Sequence, residues 1–142
     1  MAAVERFEDL DVWQRSRKLA NLAYDMTDGE LFRLDFVLRD QIRRAAVSVI
    51  SSIAEGFESK TQGMFIEYLG RAKASAGELR AQLYLALDRK YIDEKLFETA
   101  SSEAQICSRQ IISLSRYLES QPNARRVREE GAAYDVGQFL EK

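Results

Sequence analysis

The sequence contains no histidine, one cysteine and one proline among its 142 residues. Without histidine it has no Ser-His or Cys-His nucleophile pair and no histidine-bearing zinc site. The single thiol, Cys107, excludes an internal disulfide and a paired-cysteine metal site. One proline and seven glycines leave few helix breakers, which favours long helices. The sequence therefore predicts a helical protein that is not an enzyme and has no metal site and no cofactor.

Long apolar runs and targeting signals are missing as well. No stretch approaches the ~18 apolar residues of a membrane-spanning helix, and residues 1–20 lack the basic and then apolar pattern of a secretory leader. We therefore expect a cytoplasmic protein without a membrane association. A net charge of -2 and a pI near 5.3 argue against a surface wholly devoted to nucleic acid. They leave room for a local basic patch.

The most apolar stretch covers residues 38–56. Its apolar residues fall on two adjacent rows at helical spacing, a pattern that predicts a helix buried on several sides. The rows are Leu38, Ile42, Ala45, Val49 and Ile53, and Ala46, Val47, Ile50 and Ala54. We expect this second helix to begin between Leu31 and Leu34 and to stop at Gly56, a residue type that commonly ends helices. The alternative for residues 30–37 is an apolar loop that covers one end of the bundle.

Three further stretches have helical spacing. The first helix should run to about residue 26, with Asp9 or Asp11 as its cap and Trp13 as a core anchor. The third should cover residues 62–90 after a cap at Ser59 or Thr61. Its core positions alternate in steps of four and three, as in helix bundles: Phe65, Leu69, Ala72, Ala76, Leu79, Leu83 and Ala86.

The fourth predicted helix follows a cap at Asp93 and ends before Pro122. Cys107 lies in its apolar row, which predicts a buried, unreactive thiol. Short connections between four amphipathic helices indicate an all-α, up-down-up-down four-helix bundle over residues 1–120. Residues 121–142 are predicted to be a flexible tail that could bind a partner.

A polar row interrupts the apolar surface of the second helix. It consists of Arg44, Ser48, Ser51, Ser52 and Glu55. Because the second and third helices should be antiparallel, we expect Arg44 to lie near Glu78 or Gln82 and to form an interhelical pair. The polar row could also lie between subunits of an oligomer. The alternative is that Arg43 and Arg44 are simply solvated.

Glycine recurs every seven residues within the third helix. Gly63, Gly70 and Gly77 lie on one side, together with Ala74 and Ala81. Each helical glycine costs ~1 kcal/mol relative to alanine, and close approach of a neighbouring helix would offset this cost. The alternative is three tolerated substitutions.

Basic residues cluster locally in three of the helices. The candidates for a nucleic-acid contact are Arg15, Arg17, Lys18, Arg39 and Arg43, with Arg71, Lys73 and Arg80 as further members. If some converge, they would form a phosphate-binding patch. A scatter of cations that serves only solubility is the alternative.

Three stretches resemble a known family. The opening reads Phe7-x-x-Leu10-x-Val12-Trp13-Gln14-x-Ser16-x-x-Leu19. The centre reads Gln41-Ile42-Arg43-Arg44-Ala45-Ala46-Val47-Ser48, followed by Ile53-Ala54-Glu55-Gly56. The third reads Phe65-Ile66-x-Tyr68-Leu69-x-x-Ala72-x-x-Ser75-x-x-Glu78-Leu79-x-x-Gln82-Leu83, and then Tyr91-Ile92. These resemble the four-helix-bundle proteins encoded by intervening sequences of 23S rRNA genes, also labelled S23 ribosomal proteins and related to the accessory variability protein of diversity-generating retroelements.

The resemblance covers residues 7–118 and has two departures. The family usually has Pro-Ser-Asn before Ile-Ala-Glu-Gly, whereas this chain has Ile50-Ser51-Ser52, so no proline kink is expected. The proline- and glycine-containing loop before the second helix is replaced by Leu34-Asp35-Phe36-Val37. The family implies a homo-oligomeric ring, typically a pentamer, and for the retroelement relative it implies binding to nucleic acid and to a reverse transcriptase.

The sequence thus favours a non-enzymatic oligomeric binding or scaffold protein associated with RNA or DNA. The alternative is a protein–protein interaction scaffold with no nucleic-acid role, which the acidic pI favours. Salt-dependent RNA affinity would distinguish the two, because phosphate binding releases counterions.

Overall fold

The computed structural model describes residues 4–121, which contain four α-helices and no strand. The helices are α1 (Asp11–Thr27), α2 (Phe36–Glu58), α3 (Gln62–Asp88) and α4 (Glu94–Ser120), with 3-10 turns at Phe7–Asp9 and Phe32–Leu34. Each helix packs against the next, and α1 also packs against α4. This arrangement confirms the predicted all-α four-helix bundle. The predicted tail lies outside the described residues, except for Gln121.

Side-chain caps define the starts of three helices. Asp35 accepts from Leu38 N at 3.1 Å, Thr61 from Met64 N at 3.1 Å, and Asp93 from Leu96 N at 2.8 Å. The predictions of Thr61 and Asp93 are confirmed. The cap at Asp35 moves the start of α2 to Phe36, so the predicted start between Leu31 and Leu34 is wrong; Phe32–Leu34 forms a separate 3-10 turn.

The start of α1 differs from the prediction. Its N-cap position is occupied by Leu10, which makes no side-chain cap and is only 2% exposed. Burial of this leucine fixes the chain at the cap position, so the prediction of Asp9 or Asp11 as cap is wrong. Trp13 is half-buried at the edge of the core, with its ring 5.1 Å from that of Phe7.

The core follows the predicted positions of α3 and the first apolar row of α2, but in the second row only Ala46 is buried, and Val47 is 40% exposed. All seven predicted positions of α3 are buried, and so is Cys107 in α4. Burial raises the pKa of the Cys107 thiol to about 12, which keeps it protonated. Among residues 4–121, no cluster of three or more potential ligands could hold a metal ion. No described helix is long and apolar enough to cross a membrane.

Gly56 has a different role from the predicted helix stop. Helix α2 runs through it to Glu58, without interruption at Ile50–Ser52. A Cβ atom at Gly56 would lie 2.8 Å from Tyr68 Cβ and 2.9 Å from Phe65 Cδ1. Carbon atoms ordinarily pack at ~3.5–4.0 Å. Glycine is therefore needed here because α2 and α3 approach each other closely.

Candidate functional site

The predicted basic residues of α1 border a groove of about 880 Å³ between α1 and α4. Arg15 Nη1 lies 3.0 Å from Glu103 Oε1, and Lys18 Nζ lies 3.9 Å from Glu103 Oε2. Arg17 also lines the groove and lies over the Trp13 ring at 5.8 Å. The groove has as many carboxylates as cations: Asp11, Asp25 and Glu103. Its positive charge is therefore locally balanced.

The predicted basic residues of α2 lie elsewhere and also have partners. Arg39 Nε is 2.9 Å from Asp40 Oδ1, and its guanidinium lies 4.8 Å from the Phe36 ring centroid. Arg43 donates to Thr27 Oγ1 at 2.8 Å, which directs its head group towards α1. The two clusters are not brought together into one patch, and a nucleic-acid role for these five residues stays a prediction.

The polar row of α2 makes one interhelical contact to α3. Ser48 Oγ and Ser75 Oγ are 2.8 Å apart, which agrees with antiparallel packing of these helices. Arg44, Ser51 and Glu55 are exposed. Glu78 accepts instead from Gln82 Nε2 on its own helix at 3.2 Å. The predicted Arg44–Glu78 pair is thus absent from residues 4–121, because the Arg44 side chain is solvated. A position of the polar row between subunits stays a prediction.

The small residues of α3 form an exposed stripe. A Cβ atom at Gly70 or Gly77 would meet nothing within 4 Å, and one at Gly63 would meet only Thr61 Oγ1 at 4.0 Å. Ala74 and Ala81 are exposed as well. No helix of the described chain packs directly on Gly70 or Gly77, so close contact there would need another molecule.

A second groove runs between α3 and α4. It consists of two adjoining cavities of about 230 and 370 Å³, which share Lys73 and Ile112 as lining residues. Gly70 and Gly77 line it without side chains. The remaining charged residues are three arginines and one carboxylate: Arg80, Arg109, Arg116 and Glu119. In the part of the chain that the structure describes, four cations therefore face one carboxylate, although the overall charge is -2.

The cations of this groove differ from those of α1 in their partners. Lys73, Arg80, Arg109 and Arg116 make no ion pair within residues 4–121. Arg80 Nε is buried and has no hydrogen-bond partner in this part of the chain. A buried donor without a partner is costly and is usually satisfied by another group. Within residues 4–121, the groove is thus a positively charged surface whose cations are not neutralised by ion pairs.

The register of α3 and α4 orders these cations along the groove. Gln62 Nε2 donates to the Leu118 carbonyl oxygen, and the Tyr84 and Phe97 ring centroids are 4.9 Å apart. Both contacts pair residues whose numbers sum to about 180, so the helices are antiparallel. Along the groove, Arg116 lies at one end and Arg80 at the other. Lys73 and Arg109 lie at one level between them. The row spans about 15 helical residues, or ~22 Å at 1.5 Å per residue.

The prediction from sequence missed Arg109 and Arg116, and it included Lys73 and Arg80 only as further members of the basic group. A signal was present, because Lys73 and Arg80 are seven residues apart, as are Arg109 and Arg116. Seven residues are two helical turns, which places each pair on one face. The packing of α3 on α4 was needed to bring the two faces together.

Large apolar side chains are exposed where α1 connects to α2. Leu31, Leu34, Phe36 and Val37 are 64%, 64%, 62% and 77% exposed, and we refer to these four residues as the apolar end. The Tyr91 hydroxyl fixes the adjoining Asp35 by donating to Oδ2 at 3.0 Å. An exposed apolar cluster of this kind often marks an interaction surface.

Comparisons with known proteins agree with this architecture. Residues 8–113 match the sequence model of the 23S rRNA-intervening sequence protein family. A crystal structure of a protein of unknown function from the S23 ribosomal protein family of Bacteroides thetaiotaomicron VPI-5482 is similar in fold, with a TM-score of 0.68. The two are 24% identical, and the match covers 74% of this chain and 98% of that one. A search of curated proteins finds no match.

Proposed function

This chain belongs to the 23S rRNA-intervening sequence protein family, and we propose that it is a non-enzymatic RNA-binding protein that acts as a homo-oligomer. The family takes its name from RNA genes, which fits an association with RNA but does not identify a binding site. The α3–α4 groove supplies the observation that carries the proposal.

Charge segregation supports the RNA association. The chain is acidic as a whole, so nonspecific attraction to polyanions by net charge is not expected. Lys73, Arg80, Arg109 and Arg116 nevertheless concentrate four positive charges on one groove without neutralising partners in the described chain. Phosphate groups are the partners that such a row attracts most strongly, since binding them also releases counterions.

One exposed surface supports self-association. The apolar end would remove large apolar side chains from water on contact with another subunit. The family resemblance suggests a pentamer. Each additional subunit repeats the basic groove, so weak contacts to one RNA would gain by avidity.

The second candidate is a protein–protein scaffold without a nucleic-acid role. The apolar end favours it, because Phe36 and Val37 are better suited to a protein surface than to a phosphate backbone. In that case the basic groove would contribute only to solubility.

Light-scattering mass with absorbance at 260 and 280 nm across the same peak tests the proposal. We expect a mass near five times 16.3 kDa. We also expect an excess of absorbance at 260 nm that high salt removes. An oligomer that carries no RNA and binds none at low salt would favour the protein scaffold. A monomer would refute the homo-oligomer.

A further inference from the structure

We infer that the α3–α4 groove is a binding track for single-stranded RNA that recognises the sugar–phosphate backbone without regard to sequence. The inference rests on the proposed RNA association and assigns it to one site and one form of RNA. It differs from the sequence-based prediction, which placed the contacts on α1 and α2.

The shape of the groove favours a single strand. Neighbouring helices of a bundle have axes ~8–10 Å apart, and Gly70 and Gly77 keep this part of the groove free of side chains. Two cations lie on each side of the groove, at three levels over ~22 Å. One extended backbone can pass between them along the groove. Each strand of a duplex winds around the helix axis and would leave a straight groove after a few phosphates.

The chemistry of the lining favours RNA over an acidic peptide helix. An amphipathic helix needs a row of accessible apolar side chains to bind against. Leu69 and Ile111 are 0% and 1% exposed, so Ile112 is the main apolar side chain that remains accessible. Half-buried polar side chains lie between the cations instead: Gln105, Ser108 and Ser115. They can exchange hydrogen bonds with a ribose 2′-hydroxyl, which donates and accepts.

The lining also explains why sequence should not matter. Sequence-specific recognition of single strands uses aromatic side chains that stack on bases, together with contacts to base edges. Among residues 4–121, no aromatic side chain lines either cavity of the groove. The contacts available are cations for phosphates and small polar groups for sugars, and such contacts position a strand without reading it.

The test uses fluorescence anisotropy with the full chain and a labelled RNA of about 12 nucleotides, within the site sizes of single-strand binding domains. Four phosphate contacts predict that log K falls with log [salt] with a slope of about -2.8, from ~0.7 per contact. Between about 50 and 200 mM salt the affinity should therefore fall ~50-fold. RNAs of different sequence should bind alike, while the matching duplex and single-stranded DNA should bind more weakly.

Two charge-reversal variants test whether RNA binds through the groove or only through the net charge of the protein. Lys73→Glu with Arg109→Glu removes two contacts, which predicts a loss of about 25-fold at ~0.1 M salt and a slope no steeper than about -1.4. Lys60→Glu with Lys95→Glu makes the same change in net charge on exposed residues outside the groove. Because neither lysine lines the groove, the control should bind nearly as the unmodified chain does.

A third variant tests the shape of the groove without changing charge. Gly77→Leu fills the groove, and the fold should tolerate it because a Cβ atom there meets nothing within 4 Å. We expect weaker RNA binding with an unchanged circular dichroism spectrum. Gly77→Ala, which adds one methyl group, is the matched control and should bind nearly normally.

The possible failures are distinguishable. If the unmodified chain binds RNA and the groove variants bind like their controls, the track is refuted while the proposed function stands. Equal affinity for duplex and single strand, or tighter binding of a polyglutamate peptide, also overturns the track. If the unmodified chain binds no RNA at low salt, the proposed function fails with it.

Discussion

Gly56 provides the sharpest test of how the helices are packed. Gly56→Ala adds a methyl group 2.8 Å from Tyr68 Cβ, against an ordinary carbon–carbon contact of ~3.5–4.0 Å. Tyr68 Cβ is attached directly to the backbone of α3 and cannot rotate away, and the neighbouring Phe65 ring is fully buried. The overlap of about 0.7 Å must be relieved by moving α2 from α3. Such overpacking costs typically ~1–3 kcal/mol.

The same substitution at Gly77 is the matched control. Both glycines are helical, so alanine gains up to ~1 kcal/mol of helix propensity at either site. At Gly77 the new methyl group meets nothing within 4 Å, so this gain should be realised. At Gly56 the clash should outweigh it, leaving a net loss of up to ~2 kcal/mol. The two variants should thus differ in sign, and by the cost of the clash, about 1–3 kcal/mol.

Urea unfolding followed by circular dichroism measures both variants, and it should be repeated at two protein concentrations. A loss at Gly77 that depends on protein concentration would place a neighbouring subunit on this face of α3. Equal changes for Gly56→Ala and Gly77→Ala, independent of concentration, would refute the close approach of α2 and α3.

Three further predictions concern single side chains. Hydrogen bonds from the Leu38 amide and the Tyr91 hydroxyl lower the pKa of the Asp35 carboxyl below 3.8. The ionised carboxylate therefore stabilises the fold above pH 3.8, and this stabilisation is lost as the pH falls through the lowered pKa. The difference in stability between the unmodified chain and Asp35→Asn should accordingly shrink below about pH 4, and a constant difference in urea midpoints would contradict this assignment. Cys107, with its pKa raised to about 12 by burial, should react with a thiol reagent near pH 8 only as fast as the chain unfolds, and rapid labelling of the native protein would show an accessible thiol. Glu103→Gln should cost ~1 kcal/mol in unfolding free energy and leave RNA affinity unchanged, whereas tighter RNA binding would implicate the α1 cations that it releases.

Local signals allowed much of the fold to be predicted. Thr61 and Asp93 cap their helices through contacts with residues three positions away, and such short-range chemistry is visible in sequence. The core positions of α3 follow from helical periodicity alone. Gly56 was misread because a helix stop and a close interhelical approach require the same residue. Only the position of Tyr68 in the fold separates the two explanations.

The candidate site depended on contacts that are distant in sequence. Arg15 resembles a free cation until α4 places Glu103, 88 residues later, within 3.0 Å of it. Conversely, Lys73 and Arg109 line the same cavity only because of the register of α3 and α4. Sequence therefore identified Lys73 and Arg80 but not Arg109 and Arg116, and it could not separate neutralised cations from available ones. The choice between them depends on which carboxylates the fold brings near each cation.

Mapping of ultraviolet crosslinks between the full-length protein and single-stranded RNA tests the central claim most directly. Crosslinked nucleotides should be found by mass spectrometry on peptides from residues 69–80 and 105–119, which line the α3–α4 groove. They should disappear in Lys73→Glu/Arg109→Glu and persist in Lys60→Glu/Lys95→Glu. Crosslinks confined to residues 11–27 or 36–43 would contradict the account, because they would place the RNA on the cations of α1 and α2 instead.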